Sequence, residues 1–288
     1  YAVGWAHAMN TPYQWTKQVA SHWGGTRNGT IVHWPKGIKA KGEQRSQFSH
    51  VIDVAPTILE AAGIPEPLSV DGIQQDPIDG VSMLQTFNDA AAPEHHETQY
   101  FEIMGNRAIY HKGWTAVTKH YTPWINSVRC DLDDDVWELY DTNKDWSQSK
   151  DLSKDMPDKL RDLQRLFLIE ATRYKVLPID DRMLEKMNPD TAGRPVLIKG
   201  KTQVLVGGMG HLSENCVLSI KNKSHTITAE IVVPKGGAEG VIIAQGADIG
   251  GWSLYALNGK LKYCYNWGGF KYFMIEGETV MSEGEHQV

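Results

Sequence analysis

The residues best suited to chemistry lie near the start of the printed sequence. Lys17 precedes a Gly24-Gly25 pair, and residues 30–34 then form an apolar run that predicts a short strand closed by Pro35. Glycines adopt backbone conformations that other residues resist, so a lysine beside them can be held against an anion at close range. The pattern predicts an anion site at Lys17, against the alternative that it is a solvated surface lysine.

Neighbouring side chains extend this hypothesis, each with an alternative. His22 is a candidate proton donor or leaving-group contact, or a histidine bonded within a turn. Arg27 is either a structural residue beside the strand or a substrate contact. Five aromatic residues either line an aryl or sugar pocket or belong to a core; they are Trp5, Tyr13, Trp15, Trp23 and Trp34.

The composition is that of an ordinary globular protein. Hydrophobic residues make up 41% and charged residues 22% of 288 residues, and the net charge is −6, which does not favour a nucleic-acid partner. No apolar run approaches the roughly 18 residues of a membrane-spanning helix. Cys130, Cys216 and Cys264 are far apart and form neither a disulfide framework nor a CxxC metal site. The compartment and the oligomeric state stay open.

The elements that must position Lys17 follow it along the chain. Residues 51–62 predict a helix, with Pro56 in its first turn and Gly63 just past its end. Residues 64–95 are expected to form an extended surface connection. Alternating residues in 99–120 and 136–141 predict a small antiparallel sheet. Apolar positions at helical spacing then predict an amphipathic helix: Leu160, Leu163, Phe167, Ala171 and Tyr174.

The character of the sequence changes beyond Pro195. Alternation over residues 227–233 predicts a strand. Two apolar runs, 252–257 and 260–265, flank Asn258-Gly259, which is a strong hairpin signal because a type I′ turn needs positive φ at both positions. The pattern is typical of a β-sandwich, and its end within a strand-like run leads us to expect truncation there.

Several of these segments together resemble type I sulfatases of the alkaline phosphatase superfamily. The segment from Asn10 to Pro35, which contains Lys17, is similar to the late active-site segment of that family. The phrases 49–65, Asp79-Gly80-Val81-Ser82 and Glu138-Leu139-Tyr140-Asp141 are similar to phrases that follow it. The resemblance runs to about residue 181, and the remainder resembles the β-rich C-terminal region of larger bacterial arylsulfatases.

The resemblance implies a fold and a domain order. The expected class is α/β: the C-terminal end of an alkaline-phosphatase-like core (1–95), a small α+β subdomain (96–180) and a β-sandwich-like region (195–288). It also implies that Lys17 contacts the sulfate or the leaving group. The implied substrate is a small-molecule or glycan sulfate ester, hydrolysed to an alcohol or phenol plus sulfate.

The rest of the implied active site is not in this sequence. The family's nucleophile is a formylglycine made from the Cys or Ser of a [CS]-x-P-x-R motif, and none of the 13 prolines has Cys or Ser two positions before it. The resemblance also implies Ca²⁺, with ligands upstream of Tyr1. The 288 residues alone are therefore expected to be inactive.

Other patterns have structural interpretations. Asp131, Asp133 and Asp135 match three positions of a calcium loop, but Val136 replaces its glycine, so a solvated acidic turn is expected. Residues 94–97, with two histidines, are interpreted as an exposed loop, and residues 207–211 as a β-turn. Asp53 is interpreted as a structural carboxylate at a helix end. Two alternatives stay open: a phosphate or phosphonate monoester hydrolase of the same superfamily, and a glycan-binding β-sandwich module.

Overall fold

The computed structural model describes residues 2–125, 130–182, 184–187 and 189–288. The chain forms two compact units, Tyr1–Gly193 and Arg194–Val288. The architecture is mixed α/β with several antiparallel sheets and few helices, which confirms the predicted class. Among the described residues, no helix combines the length and apolar character needed to cross a bilayer.

The helices all belong to the first unit and are mostly short. They are α1 (Val3–Asn10), α2 (Trp23–Thr26), α3 (Val54–Ala62), α4 (Pro157–Arg173) and α5 (Pro189–Ala192). A 3₁₀ turn, Val51–Asp53, leads into α3, and Gly63 ends it in the left-handed conformation at φ 67°, as predicted for a glycine past a helix end. Further 3₁₀ turns are Leu84–Thr86, Leu132–Asp134, Leu184–Met187 and, in the second unit, Glu214–Cys216.

The first unit is organised around a four-stranded antiparallel sheet. Its strands follow sequence order and are β3 (Thr98–Ile103), β4 (Asn106–His111), β5 (Trp114–Thr118) and β6 (Trp137–Asp141). Within the connection before it, β1 (Ser69–Val70) pairs with β2 (Ile73–Gln74). The predicted small sheet is therefore confirmed.

Helix α4 covers one face of this sheet, because its apolar stripe matches the apolar residues that β4, β5 and β6 turn towards it. The resulting core is almost fully excluded from solvent and consists of Ile109, Ala116, Leu139, Leu163, Phe167 and Ala171. Burying one such large side chain contributes about 1.5–3 kcal/mol. The sheet is thus a fixed platform for loops that pack elsewhere on it.

The strand predicted at residues 30–34 is wrong. The segment has no regular structure, and the Ile31 side chain is 96% exposed. A strand needs a neighbour to satisfy its backbone groups, and no described segment pairs with this one. Residues 30–34 therefore have a strand-like sequence but no partner strand in the described part of the chain.

Asp53 connects two segments that are far apart in sequence. Its buried carboxylate accepts hydrogen bonds from the backbone N–H groups of His50 (2.7 Å) and Val81 (2.9 Å). A side chain on Gly80 would meet the Ile52 carbonyl oxygen at 2.1 Å. The structure therefore confirms Asp53 as a structural carboxylate, and explains why a glycine precedes Val81.

The second unit contains two antiparallel sheets. The four-stranded sheet has the order β11-β10-β9-β8, and β12 pairs with β7 in the other. The strands are β7 (Glu230–Val233), β8 (Gly240–Ala247), β9 (Gly250–Leu257), β10 (Lys260–Trp267), β11 (Lys271–Val280) and β12 (Gly284–Gln287). Asn258 and Gly259 have φ of 54° and 70°, which confirms the predicted hairpin turn.

Candidate active site

Lys17 lies on an exposed turn between Thr16 and Val19. The N–H of Val19 donates to the Thr16 carbonyl oxygen at 3.1 Å, and Gln18 has φ 78°, as a type II turn requires at its third residue. The Lys17 side chain is exposed and makes no hydrogen bond or ion pair with any described residue. Its ammonium is therefore available to an anion from solution.

Gly24 and Gly25 pack directly against the backbone of the turn. A side chain on Gly24 would meet the carbonyl oxygens of Trp15 and Gln14 at 2.1 and 2.2 Å, and one on Gly25 would meet that of Val19 at 1.9 Å. The Gly24 N–H also donates to the Gln14 carbonyl at 2.9 Å. The two glycines are thus required by close backbone approach, and this approach fixes where the turn lies.

His22 is buried beneath the same segment, with 1% of its surface exposed. Its Nε2 lies 3.0 Å from the Glu138 carboxylate and its Nδ1 lies 2.9 Å from the Ser21 hydroxyl. Tyr140 donates its hydroxyl proton to the same Glu138 oxygen. The hydrogen bond from His22 lowers the pKa of Glu138, while burial opposes this. Both His22 nitrogens are occupied by protein side chains, so the structure gives it the role of anchoring residues 21–22 to β6.

Gln148 provides a second attachment. It is fully buried; its Oε1 accepts from the Trp23 N–H at 2.9 Å and its Nε2 donates to the Thr115 hydroxyl at 3.1 Å. Its carbonyl oxygen accepts a hydrogen bond from the Gln14 side chain. One glutamine therefore holds both ends of the segment that carries Lys17.

Asn106, at the start of β4, provides a third attachment. This fully buried side chain donates to the Gln18 carbonyl at 3.3 Å and accepts from the His120 N–H at 2.9 Å. It therefore joins the Lys17 turn to the segment that leaves β5. In the same place the Lys119 ammonium lies 4.8 Å from the centroid of the Trp15 ring, within the range of a cation–π contact.

The five aromatic residues predicted as a pocket or core do not form one cluster. Tyr13 contacts Trp23 edge to face at 6.2 Å and Trp146 at 5.8 Å. Trp15 lies beside His22, and Trp5 is 75% exposed. Trp34 lies instead on the backbone of Gly37.

Arg27 is an exposed residue that covers part of this aromatic surface. Its guanidinium lies 4.3 Å from the Trp23 ring centroid and 5.2 Å from that of Tyr13. This contact gives Arg27 a packing role.

The acidic turn at residues 131–135 is solvated at Asp131 and Asp133, as predicted, but not at Asp135. The Asp135 side chain is 1% exposed; it pairs with Arg107, and the His120 Nδ1 lies 2.8 Å from it. Cys130 Sγ lies 3.4 Å from the same carboxylate. The prediction failed for Asp135 because Arg107 and His120 come from β4 and the end of β5, far away in sequence.

His120, Cys130 and Asp135 are close enough together to be considered as a metal site. They do not fit Ca²⁺, which prefers six to eight oxygen ligands. The Asp135 carboxylate is also already neutralised by the Arg107 guanidinium. The described residues therefore offer no calcium cage at this cluster.

Residues 94–97 were predicted as an exposed loop, and for His96 this is wrong. His96 is buried, and its Nδ1 lies 2.8 Å from the Asp53 carboxylate. Burial alone would lower the pKa of His96, but its hydrogen bond to Asp53 and the charge of that carboxylate raise it. His95 remains exposed. The pair adds a third connection to the Asp53 carboxylate.

Sequence reasoning missed the residues that hold the Lys17 segment, namely Asn106, Glu138 and Gln148. A glutamine and an asparagine carry no pattern that marks them as buried. Glu138 belongs to the phrase Glu138-Leu139-Tyr140-Asp141, which carries part of the family resemblance but predicts no role for this residue. The one usable signal was the Gly24-Gly25 pair, because paired glycines without an obvious turn indicate close backbone approach.

Comparisons with known proteins point to one class. A family model described as N-sulphoglucosamine sulphohydrolase, C-terminal, matches residues 15–175. An uncharacterized sulfatase of Schizosaccharomyces pombe is 30% identical over 191 residues, covering 65% of this chain and 32% of that protein. The N-acetylglucosamine-6-O-sulfatase of Bacteroides thetaiotaomicron is 26% identical over 151 residues, covering 50% and 25% respectively. The chain thus spans a third or less of the length of these curated relatives.

Solved structures give weaker likenesses. The crystal structure of Ps i-CgsB has a TM-score of 0.46 at 23% identity, covering 64% of this chain and 37% of that one. A Bacteroides thetaiotaomicron structure, whose description concerns the metabolism of multiple glycosaminoglycans, has a TM-score of 0.39 at 22% identity, covering 54% and 31%.

Proposed function

Because this chain belongs to the N-sulphoglucosamine sulphohydrolase C-terminal family, we propose that the complete protein is a sulfuric ester hydrolase. It cleaves a sulfate ester to an alcohol or phenol plus sulfate, and residues 1–180 complete its active site. The observation that supports this most directly is the exposed, unpaired Lys17 on a turn that is fixed by two glycines.

The chemical role of Lys17 in this proposal is electrostatic. Its ammonium contacts a sulfate oxygen or the bridging oxygen and stabilises negative charge as the S–O bond breaks. Backbone approach and buried amides hold the turn, so the backbone of Lys17 is fixed and the bound sulfate has only the exposed side chain to order. Loss of such a contact costs about 10²–10³ in rate, by analogy with loss of one oxyanion-hole donor.

The proposal places the nucleophile and the metal ligands outside the 288 residues. The family's formylglycine would supply the group that attacks sulfur, and its calcium would bind the sulfate oxygens. We assign neither to a residue of this chain, because the printed sequence has no [CS]-x-P-x-R motif and the His120 cluster does not suit calcium. The 288 residues alone are therefore proposed to be inactive.

The substrate is proposed from the chemistry of the class. Arylsulfatase activity is one form, with a phenol as leaving group. The description of the matching family and the name of one relative both refer to sulfated amino sugars, which favours a glycan sulfate ester as the natural substrate. We propose the domain division 1–95, 96–180 and 195–288, with the first two joined through contacts such as that of Trp23 with Gln148.

The test compares Lys17→Ala with Lys41→Ala, which removes another exposed lysine of the same unit, in the full-length protein. Release of sulfate from 4-nitrophenyl sulfate and from N-acetylglucosamine 6-sulfate is measured. We expect kcat/KM to fall about 10²–10³-fold for Lys17→Ala only. Hydrolysis of 4-nitrophenyl phosphate or phenylphosphonate instead of sulfate would identify a phosphate or phosphonate monoester hydrolase.

One observation favours a second, non-catalytic function for residues 195–288. In the register of β9 and β10, Trp252 is opposite Tyr265, and Trp267 follows two residues later on the same face. Phe273 is opposite Tyr265 on β11, and Trp267 is 59% exposed. A row of aromatic rings on one sheet face suits the apolar faces of sugar rings.

This glycan-binding hypothesis has a matched control within the same sheet. Tyr272 is 56% exposed but pairs with Asn266, so it lies on the opposite face. Trp267→Ala and Tyr272→Ala are compared by titration against a glycan panel. Saturable binding that only Trp267→Ala abolishes supports the hypothesis, and no binding by the unaltered chain contradicts it.

A further inference from the structure

We infer that Lys119 is a second cation of the substrate site, which contacts an anionic group of the substrate other than the sulfate being cleaved. This inference rests on the proposed function. It assigns to the site a specificity for esters that carry an additional sulfate or carboxylate.

Lys119 lies beside the segment that carries Lys17. It directly follows Thr118, the last residue of β5, and its ammonium lies 4.8 Å from the centroid of the Trp15 ring. Trp15 in turn immediately precedes the turn that carries Lys17. The two lysines are therefore attached to one local structure, although 102 positions separate them (119 − 17).

One buried side chain holds the backbone segments of Lys17 and Lys119 together. The buried Asn106 side chain bonds the carbonyl of Gln18, next to Lys17, and the N–H of His120, next to Lys119. A single amide thus sets the distance between the two backbone segments. A buried amide that satisfies both its donor and its acceptor this way resists displacement.

Lys17 and Lys119 differ from two other lysines of this unit in having no carboxylate partner among the described residues. Two lysines of this unit have carboxylate partners: Lys112 pairs with Glu97 and Lys144 with Asp141. Neither Lys17 nor Lys119 has an ion pair with any described residue. Two cations attached to one local structure raise the positive potential there, which attracts an anionic ligand. A ligand with two anionic groups matches the pair.

The residue next to Lys119, His120, is not available to a ligand. His120 is buried, and its two ring nitrogens face Asp135 and Asp181. Lys119 is only partly buried, with its stem along the Trp15 ring. Of these adjacent residues, Lys119 is therefore the one that can contact a ligand.

The experiment uses the full-length protein and two sets of substrates. One set is mono-anionic: 4-nitrophenyl sulfate and N-acetylglucosamine 6-sulfate. The other carries a second anionic group: N-sulfoglucosamine 6-sulfate and a uronate-containing sulfated disaccharide. Lys119→Met is compared with Lys119→Arg, which keeps the charge, and with Lys159→Met. Lys159 lies 5.3 Å from the Trp114 ring, so it is a matched lysine–tryptophan contact on α4.

We expect Lys119→Met to raise KM about tenfold for the substrates with a second anion, which corresponds to one charge–charge contact. For mono-anionic esters the rise in KM is much smaller, Lys119→Arg restores the lower KM, and Lys159→Met changes the KM for neither set. Equal losses on both sets, or no loss on either, overturn the inference while leaving the proposed function intact. Absence of any sulfate ester hydrolysis by the unaltered protein overturns both.

Discussion

Replacing Gly25 by alanine tests whether backbone approach positions Lys17. The added methyl group would lie 1.9 Å from the Val19 carbonyl oxygen, whereas ordinary contact begins at 3.4 Å. The turn must therefore move by about 1.5 Å (3.4 − 1.9), because the neighbouring atoms are backbone and cannot rotate away. A misplacement of about 1 Å at a reacting centre costs about 10²-fold in rate.

We therefore expect Gly25→Ala to lower kcat/KM for sulfate ester hydrolysis by the full-length protein about 10²-fold. Overpacking of this kind also destabilises by about 1–3 kcal/mol, so urea unfolding is measured on the same variants. Gly29→Ala is the matched control: it is in the same segment, and a side chain there meets nothing within 4 Å.

The assay must distinguish displacement of the Lys17 turn from unfolding of the variant protein. It is run at a temperature where unfolding curves show each variant to be folded. Wild-type kcat/KM in folded Gly25→Ala would refute the reasoning, because the turn would then tolerate displacement or Lys17 would not be in the site. A loss shared equally by Gly29→Ala would refute it as well.

Two further predictions concern stability. Phe167→Ala should lower the free energy of unfolding by about 3–5 kcal/mol, because Phe167 is 2% exposed in the core under α4; urea unfolding measures this, and Leu168→Ala, 52% exposed, should cost far less. For Asp53 and His96, burial would raise the pKa of Asp53, but hydrogen bonds from His96, His50 and Val81 lower it, while Asp53 raises that of His96. The contribution of Asp53 to the free energy of unfolding is lost as the pH falls through the lowered pKa of Asp53. The contribution of His96 is lost as the pH rises through the raised pKa of His96. The protein should therefore be most stable at a pH between these two pKa values. His96→Gln should flatten this profile and His95→Gln should not; identical unfolding profiles for wild type and His96→Gln would contradict it.

The elements with a strong local signal were predictable from the sequence. Helix α4 follows from its apolar spacing and Pro157, and the hairpin of β9 and β10 from Asn258-Gly259. In both cases the physical cause lies within a few residues of the element it determines. The family resemblance likewise depended on contiguous phrases.

The rest could not be predicted because it depends on contacts between distant residues. The pairs His22 with Glu138, Asp53 with His96 and Arg107 with Asp135 join separate segments. Single-sequence patterns carry no record of such pairings. The error at Ile31 has the opposite origin: its local pattern was strand-like, but a strand also needs a neighbour.

The three buried side chains that hold the Lys17 turn have a consequence for synthesis of the protein. Trp23 is bonded to Gln148, which is 125 positions later in the chain. A ribosome adds about 5–20 residues per second, so the lysine segment emerges roughly 6–25 s before its support exists. During that interval the turn has neither Asn106 nor Gln148 to hold it. The turn that carries Lys17, the proposed active-site lysine, is therefore ordered late, only after a sheet encoded far downstream has folded. Premature termination after residue 100 would yield a chain that contains Lys17 without the structure that holds its turn.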